Sequence, residues 1–282
     1  MPKVTIVIPN CNHARFLDRR FQSVLDQTEQ DFEIIYIDDG SADGSDLVFS
    51  KYRGDKRVHG IFNPTPSGIP CRQWNRGIRA GSGEYIWIAE SDDWADPRLL
   101  ETLVTRLDSL PNAGIAYCQS RIADENDHTV SSCLDITDDL DSARWSRDFT
   151  NNGRDECGRY LFVRNTIPNA SAVVFRRSIY KRAGGADETM RLGGDWLTWI
   201  KMLMISDITF VKEPLNYFRK HAGSVRYQAM KDGTYLVESE RVRNYLKKRL
   251  PIPRQSLWQA RKERLLHGLA AWLRMPLELF RP

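Results

Sequence analysis

Glu84-Tyr85-Ile86-Trp87-Ile88-Ala89-Glu90-Ser91-Asp92-Asp93-Trp94-Ala95-Asp96-Pro97 decides how the rest of this chain is read. An apolar run, Tyr85 to Ala89, stops abruptly at the carboxylates Glu90, Asp92 and Asp93. The run is too short for a typical helix and is bounded by Gly81 and Gly83, so a buried strand is expected. Asp96 then reads as an N-cap and Pro97 as the first residue of a following helix. In open α/β sheets, ligands bind beyond the carboxyl ends of the strands. Carboxylates crowded at such an end repel one another unless a cation neutralises them. Oxygen-only ligands suit Mg²⁺ or Mn²⁺ rather than zinc, and the natural partner of such a metal is a phosphate. The plainer alternative is a solvated acidic turn that caps the next helix.

Working outward, Val4 to Ile8 is a continuous β-branched run, expected as a strand buried on both faces and ended by Pro9. Arg15 to Gln27 carries Leu17, Phe21, Val24 and Leu25 at helical spacing. Phe32 to Ile37 is a second strand that runs into Asp38-Asp39-Gly40-Ser41. Together they form a βαβ unit, whose handedness sends Asp38 and Asp39 to the same crevice as Glu90, Asp92 and Asp93. The Asp39–Gly44 turn mimics the opening of a calcium loop, but Ser50 stands where the bidentate Glu is needed, so that reading fails. No G-x-G-x-x-G follows the first strand, which excludes a dinucleotide fold of the usual kind. Val58–Asn63 is a weaker strand, Pro70–Ala80 a helix and Ala113–Gln119 a further strand. Residues 121–165 show little periodicity and are read as an insertion or acceptor-side loops. Asn169–Ser178 reads as a strand leading to a short helix. Gly193-Gly194-Asp195-Trp196 opens a mostly buried helix with Asp195 at its start, where the plain role is an N-cap. The glycines there permit another molecule to approach the backbone.

The composition, 41% hydrophobic and 28% charged over 282 residues, is that of a soluble globular protein with one large domain and an appendage, or two domains. A net charge of +4 leaves no nucleic-acid footprint. The five cysteines are scattered and form no C-x-x-C pair, arguing against a disulfide framework or zinc knuckle and for a reducing cytoplasm. The N-terminus does not read as a signal peptide, and no stretch approaches a membrane span.

With those residues assembled, the chain resembles the inverting nucleotide-sugar glycosyltransferases of family 2, from Val4 to about Arg226. The resemblance rests on motifs in family order. They are Val4–Asn12, Ser23–Thr28, Asp31–Glu33 into Asp38–Ser41, Gly83–Ile86 into Glu90–Asp93, Ala172–Arg176, Gly194–Trp196, and Tyr217–Ser224. It implies an α/β GT-A fold, a Rossmann-like, mainly parallel central sheet flanked by helices. Residues 1–120 would be its nucleotide-binding half and 121–230 its acceptor-binding half, while residues 231–282, read from their own pattern, are expected as a basic amphipathic helical tail. By the same resemblance Pro9, Asn10, Asn12 and Asp39 line the base and ribose pocket with Asp38 beside it, and Glu90, Ser91 and Asp92 complete nucleotide binding, with Arg72 or Arg76 as the candidate to replace an Arg that this chain lacks at Trp74. Asp92 and His221 hold Mn²⁺ or Mg²⁺, and Asp195 is the catalytic base. A UDP-sugar is the favoured donor and a surface or lipid-linked glycan the acceptor. This sequence departs from the pattern at Glu90 (more often Asp), at Cys11 (often aromatic), at Gly194 (often an acid) and at Trp74, which stands where Arg is common.

The tail from Arg241 is basic, with Trp258, Leu265, Leu269, Trp272 and Leu273 at helical spacing among Arg261, Lys262, Arg264 and Arg274. Such a helix can lie on an anionic membrane, placing the protein peripherally at the inner face of the cell membrane, or pack on protein. Two other functions compete with transfer: a non-catalytic sugar-nucleotide or glycan-binding protein on this scaffold, and a nucleotidyltransferase. The latter needs a basic, glycine-rich phosphate loop after the first strand, which is absent.

Overall fold

The computed structural model describes residues 1–221, 223 and 233–273, the stretch 267–273 by backbone alone. Ala222 and Ser224 of the late motif, Arg226 at the end of the resemblance, and Arg274 of the tail lie outside the described residues.

The apolar runs become a central sheet. β1 (Val4–Asn10), β2 (Phe32–Asp38), β3 (Val58–Phe62) and β4 (Tyr85–Ile88) lie in the order β3-β2-β1-β4, all parallel. Every residue of β1 is buried, which accounts for a run that does not alternate. α1 (Ala14–Leu25), α2 (Ser45–Ser50) and α4 (Leu99–Ser109) cover one face through Leu17, Phe21, Phe49 and Leu103. α3 (Pro70–Ala80) and α8 (Gly194–Leu203) cover the other through Trp74, Ile78, Trp199 and Ile200. Two apolar layers therefore enclose the sheet, and truncating Leu17 or Ile200 to Ala would cost about 2–5 kcal/mol.

β9 (Val173–Arg176) runs antiparallel to β4 on one side and to β6 (Ala113–Ala123) on the other. Two reversals restore direction, so β10 (Asp207–Arg219), parallel to β6, ends at the same edge as β1, β2 and β4. His221 follows that end. β5 (Trp94–Ala95) pairs antiparallel with Asn216 and Tyr217 of β10, which ties the acidic Glu90–Asp93 turn to the last long strand.

The region expected as loops, 121–165, contains β7 (Thr129–Ser132), α5 (Leu134–Thr137), β8 (Phe149–Asn151) and α6 (Gly153–Glu156), and α7 (Arg177–Arg182) follows β9. The tail forms helices Thr234–Lys247 and Arg254–Leu273. Val242, Leu246, Leu250 and Ala260 join the apolar layer that holds α8.

Three local expectations are corrected. Pro9 does not end β1, which continues through Asn10. Val7 O accepts from Ala89 N–H while Asn10 O accepts from Asp39 N–H. The missing N–H of Pro9 therefore faces the β4 side, where that strand has already ended and no ladder bond is lost. Asp96 is not the N-cap of α4, whose cap is Arg98. The Asp96 N–H is drawn to Leu215 O of β10, and its carboxylate instead accepts from Arg98 N–H at 3.0 Å. Nor is Asp195 the N-cap of α8; that position is Gly193, and Asp195 sits within the first turn.

Candidate active site

A cavity of about 260 Å³ opens at this edge. His13, Glu90, Asp92 and Asp93 line it from the strand ends, Asn165 from the segment before β9, and Gly194 and Asp195 from the first turn of α8. The fold thus brings Asp92 and Asp195, far apart in sequence, to one space.

On the strand side, Asp92 Oδ2 lies 3.0 Å from His221 Nε2. His13, in the turn between β1 and α1, places its ring 5.3 Å from that of His221, edge to face, and its Nδ1 lies 2.8 Å from Ser91 Oγ. One ligand atom from each of His13, Asp92 and His221 lies within 4.8 Å of the others. One carboxylate and two imidazoles suit Mn²⁺ better than Mg²⁺, which favours all-oxygen shells. A cation held by this cluster would meet a mixed nitrogen and oxygen set rather than oxygen ligands alone. His13 was missed by sequence reasoning that stopped at Asn12; its signal is its position just beyond a strand end at the crevice.

The other carboxylates of the triplet turn elsewhere. Asp93 faces inward, accepting from Ser171 Oγ at 2.7 Å, Asn169 Nδ2 at 3.0 Å and Arg219 N–H at 2.8 Å. Glu90 Oε1 accepts from Trp74 Nε1 at 2.9 Å, so Trp74, in the place where Arg is common, engages the residue that replaces the usual Asp. Behind them the fully buried Arg20 donates to Glu90 O at 2.8 Å and Ser171 Oγ at 3.2 Å. This charge beneath the turn offsets the repulsion of the triplet, although burial lowers the guanidinium itself to about 10. Burial beside Asp92 raises Glu90 to about 8 and Asp93 to about 6. Burial pushes Asp92 upward too. The His221 hydrogen bond and the adjacent His13 outweigh it and hold Asp92 below the usual carboxylate range. Near neutral pH Glu90 is therefore held protonated, while Asp92 and the donor-satisfied Asp93 carry the turn's negative charge.

On the helix side, Asp195 Oδ1 accepts from Trp196 N–H at 2.6 Å and Oδ2 from Asn165 Nδ2 at 2.9 Å. Its place in the first turn of α8 favours a negative charge. The approach loop is braced by Glu238, whose carboxylate accepts from the N–H groups of Arg191 at 2.7 Å, Leu192 at 2.9 Å and Gly193 at 2.7 Å. Asn165 and Glu238 act through tertiary contacts without a local sequence signal. The lack of a side chain at Gly194 serves internal packing, since a Cβ there would stand 2.2 Å from Cys71 Sγ.

Pro9, Asn10 and Asp38 at the strand ends, and Asn12 and Asp39 in the turns that follow, occupy the same edge and do not line the cavity. Asp38 accepts from Tyr36 Oη at 2.7 Å, Asn10 Nδ2 at 3.1 Å and Ser41 N–H at 2.7 Å. Asp39 accepts from Asn63 at 2.6 Å, Gln73 at 2.8 Å, and the Ser67 N–H and hydroxyl at 2.9 Å each. It thereby pins the 64–68 loop against α3. Gly40, at φ 72°, lets that loop pass, because a Cβ there would meet Pro66 N at 2.7 Å. Asn12 Oδ1 accepts from Ala42 N–H at 2.8 Å. Arg72 is half exposed, 3.8 Å from Glu188, and also outside the cavity lining.

An uncharacterized glycosyltransferase of Nostoc sp. is 26% identical over 231 residues, 79% of this chain and 66% of the relative. One of Rickettsia typhi is 27% identical over 222 residues, 78% of this chain and 64% of the relative. The chain thus spans about two thirds of these relatives' length. Among solved structures, S. aureus TarS 1-349 in complex with UDP-GlcNAc superposes with a TM-score of 0.71 at 17% identity, covering 95% of this chain and 73% of that one. The mannosyltransferase PcManGT from Pyrobaculum calidifontis, in complex with GDP-Man and Mn²⁺, gives 0.66 at 16% identity, covering 98% and 72%. These likenesses establish the fold, the GT-A arrangement expected from the sequence. The profile of glycosyl transferase family 2 matches residues 5–184, well over half of the sequence, and the chain belongs to that family.

Proposed function

We propose that this protein moves a sugar from a nucleotide-sugar donor to an acceptor hydroxyl with inversion, assisted by a divalent cation, Mn²⁺ before Mg²⁺. The observation that carries this reading is the single cavity lined both by Asp92 of the His13–Asp92–His221 cluster and by Asp195. In a single displacement the acceptor oxygen bonds the anomeric carbon as the diphosphate departs with its bonding pair. Asp195 takes the hydroxyl proton as that bond forms, and Asn165 holds the carboxylate in place. A cation held by His13, Asp92 and His221 would supply charge stabilisation for the departing diphosphate.

Residues 1–120 serve the nucleotide in this reading and 121–230 the acceptor, a surface or lipid-linked glycan. Pro9, Asn10, Asn12, Asp38 and Asp39 shape the base and ribose pocket, while Arg72, Glu90 and Ser91 complete the donor site. A UDP-sugar remains the favoured donor. The solved neighbours hold UDP-GlcNAc and GDP-Man, so both nucleotides belong in the first screen. Asp195→Asn is expected to keep nucleotide-sugar binding and to lose transfer by roughly 10²–10⁴-fold. Near-normal turnover of this variant would overturn the assignment of the base.

A further inference from the structure

The terminal helix Arg254–Leu273 has two unlike faces. Its inner side buries Ser256, Ala260 and Glu263 against the body of the protein, with Ser256 Oγ donating to Arg159 O at 3.1 Å and Glu263 paired with Arg164. Arg164 itself lines the cavity shared by Asp92 and Asp195, so this helix is tied to the site by a buried ion pair. On the opposite side stand Arg254, Trp258, Arg261, Lys262 and Leu265, all exposed. At about 3.6 residues per turn this spacing keeps the five on one stripe. Trp258 is 65% and Leu265 64% exposed, unusual for side chains of this size, and the Lys262 ammonium lies 6.0 Å from the Trp258 ring.

We propose that this outward stripe docks the protein on an anionic lipid bilayer. The charge pattern selects that occupant. Between Lys247 and Leu273 the sequence has one acid, Glu263, and it is turned inward, so the outward charges are all cations. A symmetric contact with a second copy would set these cations against one another. A bilayer with anionic headgroups accepts both chemistries of the stripe, the basic groups at the phosphates and the indole and Leu side chains at the acyl boundary. The Glu263–Arg164 link then makes the membrane-bound helix continuous with the wall of the cavity. This inference stands apart from the reading of the cavity, because it concerns binding and needs no turnover.

The test is flotation of the full chain with vesicles of phosphatidylcholine alone and of phosphatidylcholine with phosphatidylglycerol. Anionic vesicles should bind at least roughly tenfold more tightly than neutral ones, and binding should weaken as salt rises. The double variant Arg261→Glu/Lys262→Glu should lose that preference while keeping its thermal midpoint, and Trp258→Ala/Leu265→Ala should reduce binding to both vesicle types. Equal binding to the two vesicle types, no binding to either, or unchanged binding of the charge-reversal variant would overturn the proposal. So would light scattering that shows an oligomer dispersed by Trp258→Ala, which would assign the stripe to a protein contact, for example with the acidic segment 121–141 of another copy.

Discussion

Two acidic turns leave the same edge of the sheet and use their carboxylates in opposite ways. After β2, Asp38 and Asp39 are buried and surrounded by donors from their own scaffold: Tyr36, Asn10 and Ser41 for one, Asn63, Gln73, Ser67 and Gly68 for the other. After β4, Asp93 is satisfied in the same manner, but Asp92 meets imidazole groups at the cavity, and its carboxyl is held below the usual carboxylate range. Identical residue types at equivalent strand ends thus divide between building the edge and serving it. What separates them is the supply of nearby donors: the β2 turn is folded over by the 64–68 loop, whereas the β4 turn faces open space beside His13 and His221.

That contrast can be broken by substitution. The largest effect is expected for Asp92→Ala, which should lower transfer by roughly 10²–10³-fold with little change in the thermal midpoint of the metal-free protein. A large loss of stability would instead make Asp92 a scaffold residue like Asp39. Asp39→Ala should differ by lowering stability, leaving several donors unsatisfied at a cost of about 3 kcal/mol and a fall of roughly 5–10 °C in thermal midpoint. An unchanged melting curve would remove the structural half of the comparison.

Two smaller effects sharpen it. Ser91→Ala removes the hydroxyl that orients His13 and should weaken Mn²⁺ binding, measured without nucleotide, by roughly tenfold or more. If only nucleotide affinity changed, Ser91 would belong to the donor site alone. Glu90 provides a pH signature. Its carboxyl is raised in the folded protein to about 8, so the native state holds a proton that the unfolded chain releases near its ordinary value of 4.5. Stability therefore falls as pH rises through that interval. Glu90→Gln, measured with chelator present, should be more stable than wild type near pH 8, with the advantage shrinking toward pH 5. A pH-independent difference would contradict the raised carboxyl.

Much of this edge was legible because buried parallel strands write themselves as unbroken apolar runs, and a carboxylate directly after such a run has few places to go but the rim. The same logic, aided by motif order, singled out Asp92 and Asp195. β10 escaped notice because Lys212, Glu213 and Pro214 interrupt its apolar pattern, and its register shifts where they occur. Arg20 left a readable clue, a charge at the helical spacing of Leu17, Phe21 and Val24, and burial explains it. The partners that aim Asp195 and shape its loop, Asn165 and Glu238, come from distant parts of the chain, where spacing carries no information about contact. The early start assigned to α4 failed for a similar reason: a tertiary bond to Leu215 outweighed the local Asp-Pro signal.

The central claim is that Asp92, with its two histidines, holds a divalent cation at the donor's diphosphate. Calorimetric titration of UDP and GDP into the wild type and Asp92→Ala, each with and without Mn²⁺, addresses it most directly. The account predicts that Mn²⁺ tightens binding of at least one nucleotide by roughly tenfold or more in the wild type and leaves the variant unaffected. Equal affinity with and without Mn²⁺ in the wild type, or the same enhancement in the variant, would contradict it.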